Sequence, residues 1–369
     1  LVYYGNPEEV WPQVIEDHNV SAVYLNHDYE PYAKQRDEAV RGILSKSDIE
    51  MHTFKDHVLF ERDEILTNTG GIYTVFTPYK KKWLVSWETT YVHARKNKNG
   101  SIYPSEDHLK GLKKVASTKM ITLEEMGFKP SNLEIPGQEV KQAVIKNYHD
   151  NRNFPGLEHS TSKLGIHFRF GTISIRKKAL KAAKLSDTYL SELIWRDFYA
   201  QIMDNYPHVI GKSFREKYEG IEWRNNEEDF ELWKSGNTGY PMVDAGMREL
   251  NNTGYMHNRV RMVVASFLTK HLLIDWRWGE AYFAEKLLDF DLASNNGGWQ
   301  WASGSGTDAA PYFRVFNPTS QMDKFDKQRT YIKKWIPEFG TSAYAEPMVD
   351  HKFARERCLA TYKAALANV

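Results

Sequence analysis

The apolar positions of this chain change their period part-way along. In the first third they fall in short runs, LVYYG (1–5), VSAVYLN (20–26) and IEMHTFKD (49–56), with charged stretches between them. Apolar–polar alternation at period two predicts half-buried strands. Pro7 followed by Glu8-Glu9 predicts the start of a helix over 7–18, and YAKQRDEAVRGILSKS has the spacing of a second, amphipathic helix. Strand, helix, strand, helix, strand in short steps predicts a parallel α/β sheet. Beyond about residue 141 the spacing becomes helical, with segments expected at 174–184, 189–205, 227–234, 242–251, 256–270 and 279–288. Pro241 suits a first helical position and Gly254 a break between helices.

Between these regimes the periodicity dissolves into ARKNKNGSIYPSED (94–107) and GFKPSNLEIPGQ (127–138), which have linker composition. The expected organisation is therefore an α/β domain over 1–92, a linker over 93–140 and an all-α domain over 141–369. A chain of 369 residues agrees with two domains, and 41% apolar with 14% aromatic residues is enough for sizeable cores. No apolar run reaches the length of a membrane span. The single cysteine, Cys358, excludes an internal disulfide framework and suits the reducing cytoplasm. A monomer is expected. Residues 1–139 hold 17 Lys and Arg against 21 Asp and Glu, whereas 140–369 hold 32 against 27. That cationic bias permits a phosphate-facing surface, and a solvated surface explains it equally.

The common catalytic motifs are missing. GKS (211–213) has Tyr206 where a phosphate loop needs its first glycine, and it follows a helix. There is no Cys pair or His spacing for zinc, no Gly-x-Ser-x-Gly elbow and no GxGxxG, and no metal site is expected. What remains is a set of polar anchors. TSKLGIHFRFGTIS (161–174) opens with Thr161-Ser162 beside a glycine, which suits either a phosphate site or a plain helix cap. SELIWRDFY (191–199) sets Glu192, Arg196 and Tyr199 on one helical face, with Trp195 beside them. Arg261 has Asp289 or Asp291 as possible ion-pair partners. The densest stretch is LDFDLASNNGGWQWASGSGTDAAPYFRVFNPTSQ (288–321 with Leu287 before it), where acids, asparagines, glycines and tryptophans crowd together. Short polar groups beside large flat rings suggest a ligand pocket that both backbone and π-surfaces approach.

Taken with GYPMVDAGMRELNNTGYMHNRVRMVV, this stretch closely resembles the DNA photolyase/cryptochrome family, and most of all the bacterial-type cyclobutane pyrimidine dimer photolyases. The resemblance runs from about Tyr148 to the C-terminus. It implies an α/β antenna domain followed by an all-α domain holding FAD, active as reduced FADH⁻. It implies FAD contacts at Tyr148, Thr161, Ser162, Lys163, Leu164, Gly165, Arg196, Asn258, Arg261, Asp289 and Asp291, with Asn295 facing flavin N5. The implied substrate is a dimer in UV-damaged DNA, flipped out of the base stack as photolyases require. Trp195 and Trp301 match the rings that sandwich the dimer, and Glu192 and Asn258 match groups that hydrogen-bond its bases. Met262, Arg152 and Arg259 match neighbours of that pocket. Trp299, Trp276 and Trp223 match a chain of tryptophans that re-reduces the flavin. Asn26 and Glu30 resemble contacts to an antenna, either 5,10-methenyltetrahydrofolate or a deazaflavin, and VFTPYKKKW (75–83) resembles a neighbouring loop. A cryptochrome-like photoreceptor that binds FAD without repair is the alternative. Use at the bacterial nucleoid is implied.

The chain departs from the family at its start, where no FRRDLR-like segment is found and LVYYG resembles the third strand. Without the first two strands the sheet would have open edges, and an aggregation-prone domain is expected.

Overall fold

A computed structural model describes residues 1–93, 110–114, 116 and 119–367 of the chain; most of the N-terminal half of the expected linker lies outside them. Two compact units are present: Leu1–Tyr73 with Thr77–Asn132, and Thr74–Phe76 with Leu133–Val369.

The first unit contains α1 (Pro7–Asp17), β1 (Ala22–Asn26), α2 (Pro31–Ser45) and β2 (Glu50–Phe54), and most of α3 (Phe76–Trp87), which continues into a π-turn over Glu88–His93. Asn6 caps α1 by accepting from the Glu8 amide, and Pro7 occupies the first turn, where its missing N–H costs nothing. β1 and β2 pair in parallel from Ala22↔Glu50 to Asn26↔Phe54, as the alternation of helix and strand requires. Val40, Leu44 and Ile49 form a small core with Trp11, Ile15 and Val23 packed against it.

Two expectations fail here. Residues 1–5 form no strand: Leu1 and Tyr4 are exposed, and β1–β2 is a two-stranded sheet in which neither edge is taken by LVYYG. A strand is stable only through its ladder partners, which hydrophobic alternation alone does not supply. VFTPYKKKW, expected as a loop, instead enters α3. Pro78 lies within the first turn, where it is tolerated, and Tyr79, Trp83, Trp87 and Tyr91 recur at i, i+4. The last three rings stack in succession, with Trp83–Trp87 at 5.3 Å and Trp87–Tyr91 at 4.8 Å.

The second unit is helical. Its elements are α4 (Gln142–Lys146), α5 (Tyr148–Asn151), α6 (Gly165–Arg169), α7 (Ile175–Leu185), α8 (Asp187–Asn205), α9 (Glu227–Ser235), α10 (Pro241–Thr253) and α11 (Asn258–Ser266). A π-turn (Phe267–His271) leads to α12 (Trp276–Lys286), α13 (Leu292–Ser303), α14 (Pro318–Phe325), α15 (Thr330–Trp335) and α16 (His351–Ala367). The expected helical segments all correspond to α7–α12, although α11 ends earlier, where the π-turn takes over. Pro241 is the first residue of α10, and Gly254 ends that helix at φ 65°, a left-handed conformation that costs glycine little. The main core lies among α9–α13, centred on Trp233, Met247, Val264, Leu268, Phe283 and Trp299. Cys358 is fully buried beside Tyr362, and burial pushes its thiol pKa up to about 11. Among the described residues no helix is long and apolar enough to cross a membrane.

Candidate cofactor and substrate site

Residues 161–165 form a turn that leads directly into α6. Leu164 holds the capping position, and no side chain caps this helix start, so a plain side-chain cap does not explain the Thr-Ser pair. The hydroxyls are used otherwise: Thr161 Oγ1 lies 3.0 Å from the Tyr255 hydroxyl, and Ser162 Oγ accepts from Tyr189 at 2.9 Å. Lys163 is left-handed at φ 52°, exposed, and its Nζ sits 4.9 Å above the Tyr255 ring. Gly165 is demanded by space, because a Cβ there would come within 2.9 Å of Asp289 Oδ2. Tyr148 is buried and meets Tyr189 edge-on at 5.1 Å. Burial pushes the Tyr189 hydroxyl up to about 12 and raises Tyr148 further, so both stay neutral.

Asp289 joins that turn to α11. Arg261 Nη2 donates to both of its carboxylate oxygens, at 3.0 and 2.9 Å, while Arg261 Nε donates to the Met256 carbonyl at 2.7 Å. Of the two acids offered by the sequence, Asp289 is the partner. Asp291 instead caps α13, accepting from the Ser294 amide at 2.9 Å. One turn further on, Asn295 Nδ2 donates to both the carbonyl and Oε1 of Glu280, at 3.1 and 3.0 Å. The amide is therefore oriented, with its oxygen unused by Glu280. Burial raises the Glu280 pKa, and the Asn295 hydrogen bond opposes that rise.

Deeper in the unit lies His257. Its Nδ1 accepts from the Arg259 amide at 3.1 Å, and burial first, then the charges of Arg261, Arg259, Arg152 and Lys163, lower its pKa to about 3. The ring is neutral, its proton is on Nε2, and that N–H has no hydrogen-bond partner among the described residues. Its own backbone N–H donates to Glu249 Oε2, which also accepts from the Tyr331 hydroxyl at 2.6 Å.

The expected dimer contacts are spread over four helices: Arg152 directly follows α5, Glu192 and Trp195 are on α8, Asn258, Arg259 and Met262 on α11, and Trp301 on α13. Arg152 Nη1 makes a very short ion pair with Glu192, and Arg152 also covers the Tyr148 ring at 5.3 Å. Arg259 Nη2 donates to Asn153 at 2.6 Å and its guanidinium lies 4.5 Å above Phe325. Asn258 is exposed at the first position of α11, with Met262 one turn on. Arg196 Nη2 donates to the Phe168 carbonyl at 3.4 Å. Trp195 is partly buried and stacks on Phe76 at 3.7 Å; Trp301 is partly buried against the main core.

Of the three tryptophans expected to form a chain, Trp299 and Trp276 are buried and Trp223 is partly open. Their ring neighbours are Phe283 and Trp233 for Trp299, and Tyr362 for Trp223. Trp276 carries the Arg277 guanidinium at 4.8 Å. Asn26, at the end of β1, donates to Asp56 at 3.2 Å, and Glu30 occupies the capping position of α2; both belong to the first unit. Sequence reasoning passed over Glu280, Glu249, His257 and Phe76. A carboxylate four residues after Trp276 on a largely apolar helix was a visible signal for Glu280. Phe76 left none, since its partners are over a hundred positions away.

The family model described as "FAD binding domain of DNA photolyase" matches residues 189–342, and that described as "DNA photolyase" matches residues 1–96. The deoxyribodipyrimidine photo-lyase of Halobacterium salinarum is 37% identical over 410 residues, spanning 99% of this chain and 83% of the relative. The chain belongs to the DNA photolyase family. Among solved structures, a bacterial class III photolyase from Agrobacterium tumefaciens superposes with a TM-score of 0.82 at 31% identity, covering 98% of this photolyase and 83% of the other. An archaeal photolyase from Sulfolobus tokodaii, reported with two FAD molecules and an implied novel light-harvesting cofactor, gives 0.77 at 32% identity, covering 98% and 83%. The cofactor of this photolyase is FAD, and its residues fit that group. The turn at 161–165 offers a helix start without a side-chain cap, a Cβ at Gly298 would meet open space, and the His257 N–H has no acceptor among the described residues. Among the described residues no cluster of three or more His, Cys, Asp or Glu could hold a metal.

Proposed function

We propose that the protein splits cyclobutane pyrimidine dimers in UV-damaged DNA, using light. The observation that carries this reading is the Arg261–Asp289 pair packed against Gly165, with Asn295 oriented by Glu280 on the adjoining helix. When bound, light-excited reduced FAD would supply an electron to the dimer and take it back once the cyclobutane bonds open. The chain binds and orients. The turn 161–165 takes the phosphates, with Tyr148 and Arg196 beside it, and Asp291 and Asp289 take the sugar and ring sides. Asn295 presents its carbonyl oxygen to the flavin because its Nδ2 is already committed to Glu280. Asn258 serves both cofactor and dimer.

For the dimer, Arg152 fixes the Glu192 carboxylate in place, where it would accept from base N–H groups. Trp195 and Trp301 supply the apolar walls and Met262 the floor, while Arg259 meets backbone phosphate at the rim. Trp299, Trp276 and Trp223 provide a route for re-reduction that ends at a partly exposed ring. Asn26 and Glu30 lie at the carboxyl end of a parallel strand, a usual ligand position in open α/β sheets, and support an antenna pterin or deazaflavin there.

The test is one cuvette of purified protein, given a reductant, blue light and UV-irradiated oligothymidine. Flavin absorption with light-dependent recovery of thymine absorbance is expected. Flavin absorption without recovery would replace repair by photoreception, and a colourless, refolding-competent protein that takes up no added FAD would end the reading altogether.

A further inference from the structure

Trp195 is held from behind by Phe76, a residue outside the expected flavin and dimer contacts. Residues Thr74–Phe76 belong to the helical unit, although the chain on either side of them does not. They form a short strap pinned at two points to the loop that follows α13. The Thr307 hydroxyl donates to the Thr74 carbonyl at 2.7 Å, and the Phe76 amide donates to Asp308 Oδ2 at 3.2 Å. Asp308 itself is left-handed at φ 44°, a conformation uncommon for a non-glycine residue.

The strap delivers Phe76 onto Trp195. The two rings are nearly parallel, 6° apart, with centroids 3.7 Å apart, and Phe76 meets Phe198 edge-on at 5.8 Å. Isolated aromatic pairs favour offset or edge-to-face arrangements over this one. A full overlap is thus imposed by packing, and its effect is steric: one face of the indole is closed. On the same helix Tyr199 lies 5.3 Å from Trp195, tilted by 32°, and its ring rests on Gly297, where a Cβ would come within 2.2 Å of Cδ1. The indole plane is therefore set by Phe76 and by Tyr199, which is seated in turn on the backbone of α13.

We propose that Phe76 is a positioning residue for recognition of the flipped dimer: it fixes the plane of Trp195 so that the remaining exposed surface of the ring meets the dimer without reorganisation. The proposal rests on Trp195 being a wall of the dimer site. An unbacked indole samples other side-chain rotamers, and that freedom is lost on binding, which weakens recognition of the dimer alone. Affinity for undamaged DNA, set by phosphate contacts, has no such dependence.

The experiment measures dissociation constants of FAD-loaded protein for UV-irradiated and undamaged oligothymidine, in the dark, for wild type, Phe76→Leu, Phe76→Tyr and Thr307→Val. Phe76→Leu is expected to weaken binding of the irradiated oligomer about tenfold, the scale of one aromatic stack, while undamaged affinity and flavin content hold. Phe76→Tyr keeps the ring and restores discrimination. Thr307→Val loosens one pin of the strap and gives a loss in the same direction, about threefold, the scale of a single hydrogen bond, which keeps the test open should Phe76→Leu not fold. Equal losses for both oligomers, or an unchanged preference in Phe76→Leu or, failing that, Thr307→Val, would overturn the proposal. A flavin-loaded wild type with no preference for the irradiated oligomer would overturn the dimer site itself, and Phe76's part in it.

Discussion

The two units bury different things. Among the described residues, every buried polar or charged residue belongs to the helical unit, from Ser160 to Asp326. The buried residues of the first unit are mainly aliphatic side chains and an aromatic ladder. Burying a polar group costs free energy unless it is paired, and the helical unit pairs many of them in specific sets, Glu249 with Tyr331 and Asp244 with Thr238, Gly239 and Tyr344, beside the partly buried Arg261–Asp289 pair. A unit that orients a charged cofactor carries polar groups inside, at a desolvation cost that apolar packing alone does not incur.

The sharpest way to break the contrast is at the ladder. Trp83→Ala removes a fully buried indole stacked on Trp87 and should destabilise the first unit by about 4 kcal/mol, while flavin stays bound; loss of flavin absorbance in that variant would mean the units are not energetically separate. Arg261→Met should act in the opposite way. It leaves Asp289 partly buried without its partner, at a cost of about 3 kcal/mol, and the purified protein should contain little flavin, as read by its absorption spectrum. Gly297→Ala drives a methyl into the Tyr199 ring, and about 2 kcal/mol of overpacking is expected in urea unfolding, with weakened flavin retention.

The smallest effect expected is a pH dependence that belongs to the helical unit. His257 and His271 are buried and their pKa values are lowered to about 3, chiefly by burial, from the 6.5 of an unfolded imidazole. The unfolded chain binds their protons first, so stability is complete above about pH 6.5 and falls as pH drops towards 3. Asp244, Glu249 and Glu280, whose pKa values burial raises, work in the other direction. His257→Asn, which keeps an acceptor for the Arg259 amide, isolates one imidazole. Its unfolding free energy should decline between pH 6.5 and 5.5 less steeply than that of wild type, by up to about 1.4 kcal/mol per pH unit; identical slopes would show that His257 is not held neutral.

Much of the helical unit was legible because its signals are local. Pro241, Gly254 and the apolar spacing of α8 mark their own helices, and an acidic partner for Arg261 at 289 or 291 followed from the cost of burying a lone charge, with Asp289 picked out by the fold. What was not legible depended on distance. LVYYG has the composition of a strand, but pairing is decided by which segment lies alongside. VFTPYKKKW hid a helix behind an early proline, although the i, i+4 aromatics were there to be counted. Phe76 and Trp195 are 119 positions apart, and no periodicity links them. The Glu280 contact to Asn295 spans two helices and a turn, so only packing brings it together.

The buried thiol of Cys358 has a practical consequence. It is the sole cysteine of the chain, and with a pKa near 11 and no exposed surface it offers reagents almost no thiolate at neutral pH. A cysteine introduced at an exposed position such as Asn252 would be labelled by a maleimide dye with the native residue left in place, and each unit could carry its own fluorophore without first stripping the protein of sulfur.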